Sequence, residues 1–296
     1  MSIFKSLATR FREQETPAKV NIVAEPSISF DLEVVASAVT DPGLARAENE
    51  DSVSFTRPPD PRLLVTHGAL AIVADGMGGC SGGEIASNCA CRSIEQGYFE
   101  NDPPPRTALL AAVEYANQQI YTQALERPEL KGMGTTCVVL ALIGDRAFMA
   151  YVGDSRLYLL RDSHLYCMTE DHSVVFELVN QGLLTREQAR EHPDRNVLSR
   201  ALGSKPKVQI SAWDEPFVTR AGDRFLLCSD GLHDVLSDED LSVRLGQGDV
   251  GTASALLVAA ANERGGPDNI SAVVVEIAKR GALSRLPSLT REVELT

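Results

Sequence analysis

The chain is short of the features that would place it in a special class. Six cysteines in 296 residues, Cys80, Cys89, Cys91, Cys137, Cys167 and Cys228, are too few and too scattered for a disulfide framework. None pair at C-x-x-C spacing, which removes a zinc knuckle, and a reducing, cytoplasmic setting fits such thiols. Basic charge is scarce: 28 Lys and Arg against 41 Asp and Glu leave a net charge of −13, so the electrostatic footprint of a nucleic-acid binder is missing. ASALLVAAAN and TTCVVLALIG are the longest apolar candidates, and both are too short to span a bilayer. The glycines Gly76, Gly78, Gly79, Gly82 and Gly83 do not give G-x-G-x-x-G and no G-K-[ST] follows them, and there is no calcium loop of the form D-x-[DN]-x-[DN]-G and no internal repeat. What remains is a composition that is 44% hydrophobic, enough for one large core.

The most informative stretch is Ala69 to Ser87, ALAIVADGMGGCSGGEIAS. An apolar run with the character of a buried strand ends at Asp75-Gly76, followed by a glycine-rich turn and a helix-like segment. A carboxylate at the mouth of a core strand is costly unless a cation or hydrogen-bond donors compensate it. The pattern recurs at Val152 to Arg156, VGDSR after FMAYV, and at Asp223 to Gly231, DRFLLCSDG. Strand-like runs that each finish in an aspartate predict a converging acid cluster.

In chain order, Ile3, Phe4, Leu7, Ala8 and Phe11 stand at helical spacing among Lys5, Arg10 and Arg12, predicting a short basic amphipathic helix without the cleavage signature of a signal peptide. A linker runs from Glu15 to Ser29, and Leu32 to Val39 reads as a first core strand. Thr40 to Ser52 is polar and turn-rich, and Thr56 to Pro61 reads as an exposed loop. Helices are predicted over Gly83 to Gln96 and Arg106 to Ala124, the second burying Leu109, Ala112, Val113, Ala116, Ile120 and Tyr121. Strands follow at 135–143, 146–152, 156–161 and 164–168, separated by Gly144-Asp145, Gly153-Asp154-Ser155 and Asp162-Ser163, the turn chemistry of an antiparallel meander. Asp171 to Arg200 is short-helical and polar, an insertion among strands. Strands resume at 208–213 and 224–228, two helices cover 239–246 and 252–264, and Asp268 to Ile277 is a last strand. Such blocks suit an α+β sandwich of two antiparallel sheets with helix pairs outside. Cys137, Cys167 and Cys228 lie in apolar runs and read as small apolar filler.

The turn aspartates are Asp51, Asp75, Asp154, Asp230 and Asp268. Each alone is an ordinary turn or cap residue, because Asp before Gly is a common turn dipeptide. Five at comparable positions point to a site. Oxygen ligands without histidine or cysteine favour Mg²⁺ or Mn²⁺ over zinc, and two such ions on a shared carboxylate perform metal-assisted hydrolysis of phosphate esters. Arg46 would add a bidentate donor to the phosphate.

RAENEDS (46–52), ADGMGG (74–79) with GGEIAS (82–87), GTT (134–136), VGDSRLY (152–158), EDHS (170–173), SDGL (229–232) and GGPDNIS (265–271) together resemble the ordered motif series of the bacterial metal-dependent type 2C Ser/Thr protein phosphatases, over roughly Leu32 to Ile277. The resemblance implies a four-layer α/β/β/α sandwich spanning 32–279, with a flap over about 171–200, an N-terminal extension and linker at 1–31 and a tail at 280–296. It implies that Asp75 bridges two metals, with the Gly76 carbonyl beside it. Asp230 and Asp268 would bind one metal directly, and Asp51, supported by Glu50, would hold the other largely through water. Asp154 would serve a third, weaker site, Arg46 would bind phosphate, and Arg156 would be structural. The implied cofactors are thus two Mn²⁺ or Mg²⁺ ions in the core and a third beside them. Two departures stand out: Met77 occupies the place where some relatives carry a histidine general acid, and Cys80 replaces the histidine of DGMGGH. His172 and His192 fall in the flap as structural residues.

The implied activity is hydrolysis of phosphoserine and phosphothreonine in phosphorylated proteins by a metal-bridging hydroxide, opposing a Ser/Thr protein kinase. A pseudophosphatase that binds phosphoproteins on the same fold is the alternative from another class, and an enzyme restricted to a single regulatory phosphoprotein is a third reading.

Overall fold

A computed structural model describes residues 29–78, 82–100 and 104–280. The expected N-terminal amphipathic helix, Cys80 and the tail beyond Arg280 lie outside the described residues. The strands are β1 (Leu32–Asp41), β2 (Asp51–Thr56), β3 (Ala69–Met77), β4 (Gly134–Thr135), β5 (Cys137–Ile143), β6 (Arg146–Val152), β7 (Arg156–Arg161), β8 (His164–Cys167), β9 (Ser211–Ala212), β10 (Phe217–Val218), β11 (Arg224–Cys228) and β12 (Ile270–Lys279). The helices are α1 (Pro61–Thr66), α2 (Gly82–Phe99), α3 (Pro105–Glu126), α4 (Val174–Asn180), α5 (Arg186–Arg190), α6 (Asp230–His233), α7 (Asp238–Leu245) and α8 (Val250–Glu263).

All strand pairings are antiparallel and build two sheets, β1-β12-β11-β7-β8 and β10-β6-β5-β3-β2, the second extended by β4 on β3 and β9 on β6. Because side chains alternate along a strand, β3 sends Leu70, Ile72 and Ala74 toward α2 and α3, and Ala71 and Val73 toward the other sheet. Likewise β12 sends Val273, Val275 and Ile277 between the sheets, and Ile270, Ala272 and Val274 toward α7 and α8. Three apolar layers thus separate four structural ones, which is the expected α+β sandwich with outer helix pairs.

Several local expectations are corrected. The polar stretch before Thr56 is a turn only as far as Glu50, because β2 pairs along β3 from Asp51↔Asp75 to Thr56↔Leu70. Its apolar members Val53 and Phe55 pack between the sheets, while Ser54 and Thr56 hydrogen-bond Glu95 on α2. The loop predicted over Thr56 to Pro61 gives way at its last residue to a helix, Pro61 to Thr66, capped by the Asp60 carboxylate. Cys137 and Cys228 are buried as expected, but Cys167 is exposed, because β8 is an edge strand with little cover.

The meander explains where function can gather. An antiparallel chain returns every second connection to the same end of the sheet, so the start of β2, the end of β3, the β6–β7 turn, the end of β11 and the start of β12 share one rim. These are the places of Asp51, Asp75, Asp154, Asp230 and Asp268.

Candidate active site

Asp51 and Asp75 face each other as register partners of β2 and β3. Asp51 is 6% exposed and accepts a hydrogen bond from Ser229 Oγ at 2.7 Å. Asp75 is fixed through its backbone: its N–H donates to Thr136 Oγ1 at 3.0 Å, and its carbonyl accepts from Thr135 Oγ1 and the Thr136 N–H at 2.8 Å each. Gly76 follows where a side chain has no room, since a Cβ would strike the carbonyls of Gly83 and Glu50. That contact brings the N-terminus of α2 against the strand end, and the Glu50 carboxylate takes a hydrogen bond from Gly83 there. Asp230 opens α6 directly after β11, and Asp154 sits in the β6–β7 turn, where its carbonyl lies 3.2 Å from His233 Nε2.

These acids feel one another. Burial first, and then the charges of Asp51, Asp230 and Asp154, hold the Asp75 carboxyl well above the usual range. Asp154 is raised by burial and by Asp230 and Asp171. Asp230 is raised by burial, opposed by His233, and pushed further by Asp234 and Asp268. Burial lifts Asp51 from 3.8 to about 7 against the hydrogen bonds of Ser271 and Ser229, with Asp230 and Asp268 adding to the rise. Like charges gathered in a low-dielectric rim stay protonated or wait for a cation. Among the described residues no three His, Cys, Asp or Glu side chains are drawn together as a finished metal cage. The donor set nevertheless fits hard divalent ions, because it offers oxygens alone and a repulsion that such ions would relieve.

Asp268 lies at the solvent edge of this group and takes a 2.9 Å hydrogen bond from Arg46 Nη2. The arginine side chain is 52% exposed, so its guanidinium stands at the mouth with donors left for an incoming anion. All the expected site residues therefore meet at one rim: Arg46, Glu50, Asp51, Asp75, Gly76, Asp154, Asp230 and Asp268.

Sequence reasoning missed the residues that hold them. Asn269 accepts from the Glu50 N–H at 2.8 Å and donates to the carbonyls of Pro42 and Glu48 at 3.0 and 2.9 Å, stapling the Arg46 loop to the start of β12. Ser229 Oγ accepts from the Ser271 N–H at 3.0 Å while it donates to Asp51. Thr136 Oγ1 is 2.7 Å from Ser155 Oγ, linking the Asp75 and Asp154 turns. The only sequence signal was proximity: Asn269, Ser229 and Ser271 stand next to or near motif aspartates. Arg156 is structural as expected, held in a two-bond pair with Asp171 at 2.9 and 2.6 Å. Burial works against the Asp171 carboxylate, and the Arg156 guanidinium overcomes it and keeps its pKa below the usual range. His172 is likewise buried scaffold, stacked on Tyr151 with ring centroids 4.8 Å apart.

Known proteins resemble this chain in sequence and fold. The family described as "Protein phosphatase 2C" matches residues 49–255. The Serine/threonine protein phosphatase PstP of Mycobacterium tuberculosis is 39% identical over 244 residues, covering 81% of this chain and 44% of its own, so the chain spans less than half the length of that relative. The Serine/threonine phosphatase stp of Listeria welshimeri is 36% identical over 248 residues, covering 80% of this chain and 93% of its own. The solved catalytic domain of PstP in complex with two manganese ions superposes with a TM-score of 0.70 at 36% identity, over 83% of this chain and 99% of that one. The family match, the sequence identities and the superposition agree: the chain belongs to the protein phosphatase 2C family, in its bacterial Ser/Thr phosphatase form.

Proposed function

We propose that the protein is a Mn²⁺- or Mg²⁺-dependent phosphatase that hydrolyses phosphoserine and phosphothreonine in phosphorylated proteins and so opposes a Ser/Thr protein kinase. The observation that carries the reading is the convergence, from separate parts of the chain, of Asp51, Asp75, Asp154 and Asp230, each with its pKa raised by burial and by the charges of neighbouring acids. Asp75 and the Gly76 carbonyl, with Asp230 and Asp268, would hold the core ions; Asp51 and Glu50 would act partly through water, and Asp154 would serve a third position. Divalent ions bound there supply Lewis acidity, a nucleophilic water at neutral pH and neutralisation of phosphoryl charge. Arg46 grips the phosphate and orients it at the rim. Asn269, Thr136 and Ser229 keep the acids in place against their mutual repulsion. Met77 carries no ionisable proton, so the leaving-group proton is not delivered from that side chain.

The phosphatase unit is taken as 32–279, with 171–200 as its flap and 1–31 and 280–296 as extensions. No helix among the described residues is long and apolar enough to cross a membrane. A cytoplasmic setting is part of the proposal, supported by the described cysteines, all of which are free thiols. The test is hydrolysis of phosphopeptides and of a chromogenic phosphate ester with and without Mn²⁺. Asp75→Ala and Asp230→Ala are expected to be inactive with folding retained; turnover that survives chelation would refute the mechanism, and metal-independent phosphopeptide binding without turnover would favour the pseudophosphatase.

A further inference from the structure

Beside the acid rim lies a second hollow, a cavity of about 390 Å³ at the base of the flap, with Tyr151, Glu170, His172, Phe176, Arg200 and Ser211 in its wall. The flap is closed at its root by an antiparallel bridge between Ser173 and Leu198, so His172 and Arg200 flank that bridge and face the cavity together. His172 ties the cavity to the catalytic rim: its backbone N–H donates to the Gly153 carbonyl at 3.0 Å, and its Nδ1 accepts from the Gly153 N–H at 3.1 Å, one residue before Asp154.

That second bond fixes the tautomer. Nδ1 is an acceptor, so Nε2 carries the proton and donates to Ser211 Oγ at 2.9 Å. Arg200 Nη1 stands 3.4 Å from the same Nε2. Arginine has no acceptor, so this approach sets donor against donor. Arg200 is half-buried and makes no ion pair among the described residues. Of the acids in the wall, Asp171 pairs with Arg156 and Asp214 with Arg106, while Glu177 is exposed and makes no ion pair with Arg200. With Glu170, Asp171, Glu177 and Asp214 in the wall against Arg106 and Arg200, the hollow attracts no anion at long range and selects by direct contact with the Arg200 guanidinium. A half-buried guanidinium that makes no ion pair and faces an N–H donor is matched by an acidic group brought into direct contact with it.

We propose that Arg200 and this cavity form a subsite for a second acidic group on the substrate, a carboxylate or a further phosphoryl group, in the same segment as the phosphoresidue at the rim. This rests on the phosphatase reading above. An extended segment advances about 3.3 Å per residue, and the guanidinium is separated from the Gly153 N–H beside Asp154 by an imidazole ring and two gaps of 3.1 and 3.4 Å, which corresponds to an acid about two to four residues away.

The test is a set of phosphoserine peptides with Asp, a second phosphoserine, Ala or Lys at each position from four before to four after, assayed with Mn²⁺ beside a chromogenic phosphate ester. Wild type is expected to show at least tenfold higher kcat/KM for one acidic position over Ala, mainly through KM. The Asp and phosphoserine arms tell carboxylate from phosphoryl. Arg200→Gln should bring the acid-to-alanine ratio to about one, Arg200→Lys should keep part of it, and Arg200→Glu should invert it in favour of lysine. Being a ratio within one enzyme, the readout is insensitive to a general loss of activity. Turnover of ester and peptides without an acidic preference, or a preference that survives Arg200→Gln, overturns the subsite alone. No turnover of any of them overturns the phosphatase reading and the subsite with it.

Discussion

The buried acids make the metal-free protein unusually sensitive to pH, in a direction opposite to common acid denaturation. Burial pushes the folded Asp51 carboxyl up to about 7, against 3.8 for an ordinary aspartate. A group whose folded pKa is raised contributes stability that is fully present below the unfolded pKa and lost as pH rises through the folded one. The gap of about three pH units, at about 1.36 kcal/mol each, is a loss of about 4 kcal/mol between pH 4 and 7 from this residue alone. Asp75, Asp154 and Asp230 move the same way. Carboxylates held low, such as Asp171 and Asp234, contribute stability that is lost as pH falls from the ordinary carboxylate value through their folded values, so the window from 5 to 7 belongs to the raised group. For a domain of this size, 4 kcal/mol is about 8 to 16 °C in melting temperature. The assay is thermal unfolding of chelator-treated protein from pH 4.5 to 8, with and without added Mn²⁺. Melting temperature should fall as pH rises from 5 to 7, Asp51→Asn should flatten the fall, and Mn²⁺ at a hundredfold over its Kd should restore about 2.7 kcal/mol at pH 7.5 and less at pH 5, where protons compete. A metal-free melting temperature that is flat or rises over that window, or an Asn variant as steep as wild type, would refute the picture of a repelling acid rim.

Other outcomes follow from the same contacts. Arg46→Ala should lower kcat/KM for phosphate esters about 10- to 100-fold, the range of a lost charge-assisted hydrogen bond, and Arg46→Lys should recover only part of it in steady-state assays. Asn269→Ala frees the Glu50 N–H and two carbonyls of the Arg46 loop, so the Mn²⁺ concentration for half activity should rise while the far-UV spectrum stays unchanged. Arg161 and Asp223 form a buried pair at 2.7 and 2.6 Å, with Phe217 under the guanidinium at 4.8 Å. Arg161→Met should therefore cost about 3 to 5 kcal/mol in denaturant unfolding, and Arg161→Met with Asp223→Leu should recover much of it. Gly76→Ala places a methyl group against two backbone carbonyls that cannot move aside cheaply, and should abolish soluble folded protein or leave it inactive.

Much of the architecture could be read in advance because each informative element was locally unambiguous. β3 and β12 are apolar on both faces, and such runs bounded by glycine turns allow few other assignments. β2 was hidden because its two faces differ for a tertiary reason. Ser52, Ser54 and Thr56 are polar since α2 offers them Ser87 and Glu95 as partners, and nothing within six residues of sequence reveals a helix more than thirty positions away. Cys167 was misread for the reverse reason: an apolar run looks the same on an edge strand as in a sheet centre until the strand order is known.

The site divides along the same line. Its acids were visible because each sits where a strand gives way to a turn, and an antiparallel meander leaves such junctions only two ends of the sheet to occupy. Their supports were not, since Asn269 acts on Glu50 across 219 positions and Ser229 on Asp51 across 178, and an asparagine or serine beside an aspartate looks like any turn residue. The division has a physical origin. Placing like charges together needs only strand ends, which local pattern encodes, whereas keeping them together needs donors aimed from other strands, which only the assembled sandwich supplies. Activity and stability should therefore respond differently to the two groups: removing an acid relieves repulsion and removes function, while removing a support leaves the acids in number but weakens the hold of the rim on its ions.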